Sequence, residues 1–127
     1  MILNVRNRPT DPAAAPEGAI RRLILEKYEK LGLQAKPTKG DNGVHASASP
    51  LEGLGEKANW LGMKIENDEF GKALMDSGIP EQVLLEWSLD PRIKLPNGDI
   101  GSIFDYLEDK DVDETLEEMV QLYELNK

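Results

Sequence analysis

Prolines and glycines divide this chain into short segments, which limits the elements it can form. Proline disrupts a helix interior, and glycine commonly ends a helix in the left-handed conformation. Gly32, Gly62, Gly78 and Pro91 separate stretches in which apolar residues recur at helical spacing. Between them, the turn signal LPNGD at 95–99 predicts one small β-hairpin. The sequence therefore predicts an α+β fold that is mainly helical.

Capping signals predict where the helices begin. Pro16 suits the first turn of the first helix, and Ser49 followed by Glu52 forms a capping box for the second. Further helix starts are predicted at Asn67, at Pro80 and in the acidic C-terminal stretch. At the N-terminus, the apolar residues predict a short strand or extended arm: Ile2, Leu3 and Val5. The buried stripe of the second helix is predicted to comprise Leu51, Leu54, Ala58 and Leu61.

Composition narrows the functional classes. The chain has 127 residues, 39% of them hydrophobic, with a formal charge of −9, which predicts a single domain over 1–127. No apolar run approaches the roughly 20 residues that a membrane span needs. An acidic protein would repel a phosphate backbone, so we expect neither a membrane nor a nucleic-acid partner. The lack of cysteine excludes thiol chemistry, and the lack of a signal-like N-terminus predicts a cytoplasmic protein.

One acidic stretch resembles the start of a calcium-binding loop. Asp109, Asp111 and Asp113 have the required early spacing. However, Glu114 occupies the position that needs glycine, and Val120 occupies the position that needs a bidentate glutamate. An acidic helix start explains the stretch better, because carboxylates favour a helix N-terminus. We therefore predict no metal ligands in the chain.

The single histidine, His45, lies in a loop of small residues, GDNGVHASAS. Most single histidines are ordinary surface or packing residues, and that interpretation stays open. Alternatively, small neighbours leave room for a bulky charged group on the imidazole. A nucleophilic imidazole needs a partner that holds the proton of its other ring nitrogen. Glu56 on the second helix is a candidate for this orienting role, or else a surface carboxylate, and Ser47 is either a site hydroxyl or a turn residue.

The loop GDNGVHASAS resembles the active-site segment of nucleoside diphosphate kinases, whose pattern is G-R-N-x-x-H-[GA]-S-D-S. A second stretch, RPTDPAAAPEGAIRR, is similar to the family's T-[ND]-P-x-x-A-x-P-G-T-I-R segment, with a shift of one residue. In the loop, the matching residues are Gly40, Asn42, His45, Ser47 and Ser49, and Glu56 and Trp60 follow at the family's distances from the histidine. Upstream, they are Thr10, Asp11, Pro12, Pro16, Gly18, Ile20 and Arg21.

The resemblance implies a role for each matching residue. His45 would be the catalytic nucleophile that receives a γ-phosphoryl group, and Glu56 would orient it. Nucleotide-binding roles would fall to Asn42 at the ribose and phosphate, to Ser47 near the histidine, and to Thr10 and Arg21 at the phosphates. The substrates would be nucleoside di- and triphosphates, with Mg²⁺ as the cofactor that accompanies the nucleotide.

The chain also departs from the family pattern. Asp41 replaces the family's arginine, and Ala48 replaces its aspartate. An arginine that precedes the threonine in the family has only Arg6 or Arg8 as a counterpart, and neither has the expected spacing. The likeness covers the segment 1–62, and 63–127 would be a helical extension. The family's N-terminal strand with its lysine and its base-stacking aromatic has no counterpart, so we expect a missing N-terminal kinase half or a homo-oligomer to complete the site.

These observations lead to two functional hypotheses. The first is phosphotransfer from a nucleoside triphosphate to a nucleoside diphosphate through phosphohistidine, by a partial or C-terminal piece of such an enzyme. The alternative is a non-catalytic helical interaction module that retains the motif. Formation of acid-labile phosphohistidine at His45 would distinguish them.

Overall fold

The computed structural model describes residues 9–127, so the predicted strand at Ile2, Leu3 and Val5 lies outside the described residues. About 49% of the described chain is helical, and one two-stranded sheet accompanies the helices. The prediction of a mainly helical α+β fold is confirmed at that level. No helix in the described region is long and apolar enough to cross a membrane.

The elements follow one another in short succession. They are α1 (Ile20–Lys27), α2 (Pro50–Leu61), a 3₁₀ turn (Ile65–Asn67), α3 (Glu69–Asp76), α4 (Glu81–Trp87), β1 (Arg92–Lys94), β2 (Ile100–Ser102), α5 (Ile103–Leu107) and α6 (Val112–Asn126).

Internal contacts divide the chain into two compact units, Met1–Ala46 and Ser47–Lys127. The division falls between His45 and α2, so the last helix of the kinase-like segment belongs to the C-terminal unit. The single domain over 1–127 stays a prediction.

In the N-terminal unit, α1 begins four residues after the predicted start at Pro16. The delay has a backbone cause, because Gly18 adopts a left-handed φ of +83° and interrupts helical geometry. Arg22 of α1 reaches back over this turn, and its Nη1 donates a hydrogen bond to the Ala13 carbonyl at 2.8 Å. The segment before α1 is therefore tied to the helix itself.

In the C-terminal unit, α2 begins with the predicted cap. The Ser49 hydroxyl accepts a hydrogen bond from the Glu52 backbone N–H at 3.2 Å. The Glu52 carboxylate reaches one residue further than in a standard capping box and accepts from the Ala48 N–H at 3.0 Å. The Ala48 carbonyl accepts from the Asp109 N–H at 3.0 Å. These bonds fix the backbone beside Ser47.

The start of α3 corrects the sequence prediction. Asp68, not Asn67, caps the helix, and its Oδ1 accepts hydrogen bonds from Phe70 N–H at 3.0 Å and Gly71 N–H at 3.1 Å. Asn67 instead ends the short 3₁₀ turn. The Lys57 ammonium donates to the other carboxylate oxygen of Asp68 at 2.6 Å. Burial raises the pKa of Asp68, but these hydrogen bonds and the lysine charge outweigh burial and leave the pKa below its ordinary value.

The predicted starts at Pro80 and in the acidic stretch are confirmed. Pro80 precedes α4, and Asp111 caps α6 in a reciprocal capping box with Glu114. The predicted hairpin also forms, with β1 and β2 antiparallel. Asn126 near the end of α6 holds this hairpin, since its side chain accepts from Lys94 N–H at 3.0 Å and donates to the Lys94 carbonyl at 2.9 Å.

The helices of the C-terminal unit bury apolar residues in one common core. The predicted stripe of α2 holds for Leu51 and Leu54, which are buried, whereas Leu61 is 74% exposed. Leu61 is the last residue of α2, immediately before Gly62, so the helix ends before a further turn can cover it. The other buried apolar residues of this core are Ile65, Leu74, Ile79, Leu84, Trp87, Ile103, Leu107, Met119 and Leu122.

Candidate functional site

Asn42 is the centre of a hydrogen-bond network in the N-terminal unit. Asn42 is buried, and its Oδ1 accepts from Arg21 Nε and from the Val44 backbone N–H, both at 3.1 Å. Its Nδ2 donates to the Thr10 carbonyl at 3.3 Å and to the Lys39 carbonyl at 3.2 Å. An amide offers two donors and one carbonyl oxygen with two lone pairs, so protein groups satisfy all four positions. Asn42 thus fastens its loop to the segment before α1.

Arg21 holds the same loop from α1. It is 7% exposed, and besides Asn42 it contacts the Val44 carbonyl, to which Nη2 donates at 3.1 Å. Val44 therefore has its N–H bonded to Asn42 and its C=O bonded to Arg21. Because both backbone groups of Val44 are held, the backbone is fixed up to the residue before His45. Arginine suits this task, since its planar guanidinium presents several donors in fixed directions.

Thr10 joins the network through its backbone. Its carbonyl accepts from Asn42, whereas its side chain is exposed. The three residues predicted to bind nucleotide on this side, Thr10, Arg21 and Asn42, are thus brought together. Their contact with a nucleotide stays a prediction.

Ser47 and Glu56 form a second pair, in the C-terminal unit. The exposed Ser47 hydroxyl donates to Glu56 Oε2 at 2.6 Å, a short bond that is typical of a hydroxyl on an ionised acceptor. Glu56 lies on α2 and is half-buried, and Gly53 lies one turn earlier, beside the serine. A Cβ added to Gly53 would lie 3.6 Å from Ser47 Oγ. The structure thus brings together two of the residues predicted for the site, Ser47 and Glu56.

His45 is exposed and belongs to the N-terminal unit. In the sequence it directly follows Val44 and precedes Ser47 by two positions. Both networks therefore engage chain neighbours of the histidine, one before it and one after it. The orientation of His45 by Glu56 stays a prediction.

The polar connector before Asn42 contains a feature that sequence reasoning missed. The structure orders it, with the Thr38 N–H donating to the Asp41 carbonyl at 2.7 Å and the Asp41 N–H donating to Thr38 Oγ1 at 3.1 Å. A cavity of about 390 Å³ lies against this loop. Threonine three residues before Asp41 was a usable turn signal, since its hydroxyl can bond nearby backbone. The cavity lining is Leu33, Gln34, Ala35, Lys36, Pro37, Thr38, Asp41, Asn42 and Gly43.

Charge is distributed unevenly between the two units. Residues 1–46 contain eight Lys and Arg against five Asp and Glu, a formal charge of +3. Residues 47–127 contain seven against nineteen, a formal charge of −12. We therefore expect the N-terminal unit to attract an anionic ligand, although the net charge of the whole chain is −9.

Comparison with protein-family models, curated proteins and solved structures finds no match to this chain. The likeness to nucleoside diphosphate kinases consequently rests on the matching residues of its two quoted segments.

Proposed function

We propose that this protein transfers a phosphoryl group from a nucleoside triphosphate to a nucleoside diphosphate through phosphorylated His45. The observation that carries the proposal is the network around Asn42. It gathers Thr10 and Arg21, which are distant in sequence, and ends on the backbone of the residue before His45. Such convergence is expected of residues that serve one site. Phosphoryl transfer depends chiefly on positioning and charge, so a fixed loop is a fitting support.

The proposed reaction has two half-steps. One neutral ring nitrogen of His45 attacks the γ-phosphorus, a nitrogen–phosphorus bond forms, and the bond from phosphorus to the β,γ-bridging oxygen breaks. The nucleoside diphosphate leaves with that electron pair, while the other ring nitrogen keeps its proton. The terminal phosphate oxygen of a second nucleoside diphosphate then attacks the phosphohistidine, and His45 returns to its neutral form.

Glu56 and Ser47 act on the histidine side of this reaction. The carboxylate of Glu56 accepts a hydrogen bond from the retained ring N–H and offsets the positive charge that the ring acquires. Ser47 supports it, since the 2.6 Å hydrogen bond holds one carboxylate oxygen. The second oxygen then has a defined direction, which is what an orienting group requires.

The phosphates of the substrate need positive charge. The nucleotide enters as its Mg²⁺ complex, and the net charge of +3 in the N-terminal unit favours its approach. Arg21 donates to Asn42 and Val44. In the proposed reaction it would also contact the phosphates. A further cation from an N-terminal kinase half or a second copy of the chain would complete the site.

We place the protein in the cytoplasm, with no membrane or nucleic-acid partner.

The test is phosphohistidine formation. Incubation with γ-labelled ATP and Mg²⁺ should label the wild-type protein, and the label should be labile in acid and stable in alkali. Because His45 is the only histidine, His45→Ala should abolish the label. We expect slow labelling, since the chain supplies the nucleophile and its orienter without the family's lysine. Equal labelling of both proteins, or none in either, would favour the alternative of a helical interaction module.

A further inference from the structure

The cavity beside Asp41 is lined by two side chains of opposite charge. Asp41 and Lys36 both line it, and within residues 9–127 no hydrogen bond or ion pair engages the Asp41 carboxylate or the Lys36 ammonium. The volume of about 390 Å³ falls within the usual range of small-molecule sites, about 300–1,000 Å³. This cavity therefore offers opposite charges to one small ligand.

The wall that carries Asp41 is held by its backbone. The Asp41 N–H and carbonyl are both bonded to Thr38, and the next residue, Asn42, is fixed by its own four hydrogen bonds. The carboxylate is thus presented on an ordered turn, although the loop is exposed. An acceptor on a held backbone loses less conformational freedom on binding a ligand than one on a mobile loop.

The chemistry of the lining selects the ligand. An ionised carboxylate only accepts hydrogen bonds, so the ligand must offer donors near Asp41. An ammonium only donates, so the ligand must offer acceptors near Lys36. The apolar side chains of Leu33, Ala35 and Pro37 also require a non-polar face. Vicinal hydroxyls, a phosphate and a planar base meet these three requirements in one molecule, a ribonucleotide.

We propose that this cavity seats the nucleoside half of the substrate, with the Asp41 carboxylate accepting from the ribose hydroxyls and Lys36 attracting the phosphates. The inference rests on the proposed function, because it assigns a place to the nucleotide of that reaction. It gives Asp41 a role that suits its charge. A carboxylate repels phosphate but binds hydroxyl pairs well, as acidic residues do in many nucleotide sites.

The test compares two nucleotides. Titration of ¹⁵N-labelled protein with ADP and with 2′,3′-dideoxy-ADP, both with Mg²⁺, measures affinity and locates binding by amide shifts. We expect shifts within 33–43 and about tenfold tighter binding of ADP, the usual effect of charge-assisted hydrogen bonds. Asp41→Asn should remove this preference while leaving the dideoxy affinity equal or higher. Asp76→Asn makes the same change at an exposed residue of α3 and should keep the preference for ADP.

Each contrary result has a distinct meaning. Equal affinity for the two nucleotides, absence of binding, or an unchanged preference in Asp41→Asn would overturn the ribose seat. Labelling of His45 in the same protein would then leave phosphotransfer standing. Conversely, a ribose preference that depends on Asp41 without any His45 label would support the seat and contradict phosphotransfer.

Discussion

A carboxylate orients an imidazole well only when the carboxylate is itself held. Ser47 provides this support, because its hydroxyl donates to one oxygen of Glu56 at 2.6 Å. The serine would otherwise be an ordinary turn residue, and the glutamate an ordinary helix-surface residue. Their hydrogen bond makes them a pair whose effects on His45 should depend on each other.

Glu56→Gln should slow His45 phosphorylation by roughly 10–100-fold, the range of a typical acid–base contribution. Ser47→Ala should slow it less, and in the double variant Ser47→Ala should have little additional effect. The rate of label incorporation from γ-labelled ATP measures this. Glu81→Gln, an equivalent change at an exposed position of α4, is the control and should leave the rate unchanged. Equal rates in Glu56→Gln and wild type would remove Glu56 from the site.

Asp68 is the residue through which we expect acid to reduce stability. Its folded pKa lies below the ordinary value of 3.8, so its stabilising contribution is complete above that pH. Below pH 3.8 the unfolded chain binds the proton first, and the contribution is lost as the pH falls through the folded pKa. Asp68→Asn retains capping ability but loses the charge that pairs with Lys57.

Asp68→Asn should therefore lower the free energy of unfolding by about 0.5–1 kcal/mol at neutral pH, since Lys57 is half-exposed and solvent weakens the pair. The difference from wild type should shrink below pH 3.8. Urea unfolding followed by circular dichroism at several pH values measures it. Asp76→Asn, at the other end of α3, should show no such pH dependence. If the difference in unfolding free energy between wild type and Asp68→Asn persists at the lowest pH, the charge of Asp68 is not its cause.

At the scale of elements, close packing of the 3₁₀ turn on α3 depends on Gly71. A Cβ added there would clash with the Ile65 carbonyl oxygen and lie 2.8 Å from Ile65 Cγ2. Backbone on both sides must shift to relieve this contact, and overpacking of this kind costs about 1–3 kcal/mol. By contrast, a Cβ at Gly53 in α2 would make only ordinary contacts with Ser47.

Gly71→Ala should consequently lower the free energy of unfolding by about 1–3 kcal/mol. Gly53→Ala should be neutral or stabilising by up to about 1 kcal/mol, because alanine loses less backbone entropy in a helix. Thermal and urea unfolding of the two variants gives the comparison. Similar losses in both would show that helix propensity, rather than the contact with Ile65, governs these positions.

Local signals explain which parts of the fold were predictable. Some signals act only on residues next to them in the sequence, and the structures predicted from such signals are confirmed. They are the cap at Ser49, the helix start at Pro80 and the hairpin at LPNGD. Asn67 and Asp68 are both good caps, and the sequence alone could not choose between them. Packing decides, because the 3₁₀ turn uses Asn67 and Lys57 pairs with Asp68.

For the candidate site, the sequence predicted which residues belong to it but not the contacts between them. The resemblance named Thr10, Arg21 and Asn42, but not that Asn42 would bond to the Thr10 backbone and to the Arg21 side chain. Contacts between residues more than 20 positions apart have no local sequence signal. The cavity beside Asp41 was missed for the same reason, since it depends on how the connector closes on itself.

At the scale of the whole molecule, charge separation should influence the approach of nucleotide. The N-terminal unit has a formal charge of +3, which attracts an anionic nucleotide, and the C-terminal unit has −12, which repels it. Salt screens both interactions over about 10 Å at 0.1 M. The reaction proposed here also requires more than labelling, since the phosphoryl group must leave His45 for an acceptor. Discharge of the phosphorylated protein therefore tests the complete route.

The most direct measurement starts from protein labelled with γ-labelled ATP and freed of nucleotide. Addition of unlabelled GDP with Mg²⁺ should move the label from His45 to GTP, detected by chromatography, whereas GMP should leave it on the protein. Transfer to GDP alone is the result expected from the proposed function. Label that stays on the protein with GDP, or leaves only as inorganic phosphate at the rate seen without nucleotide, would contradict it.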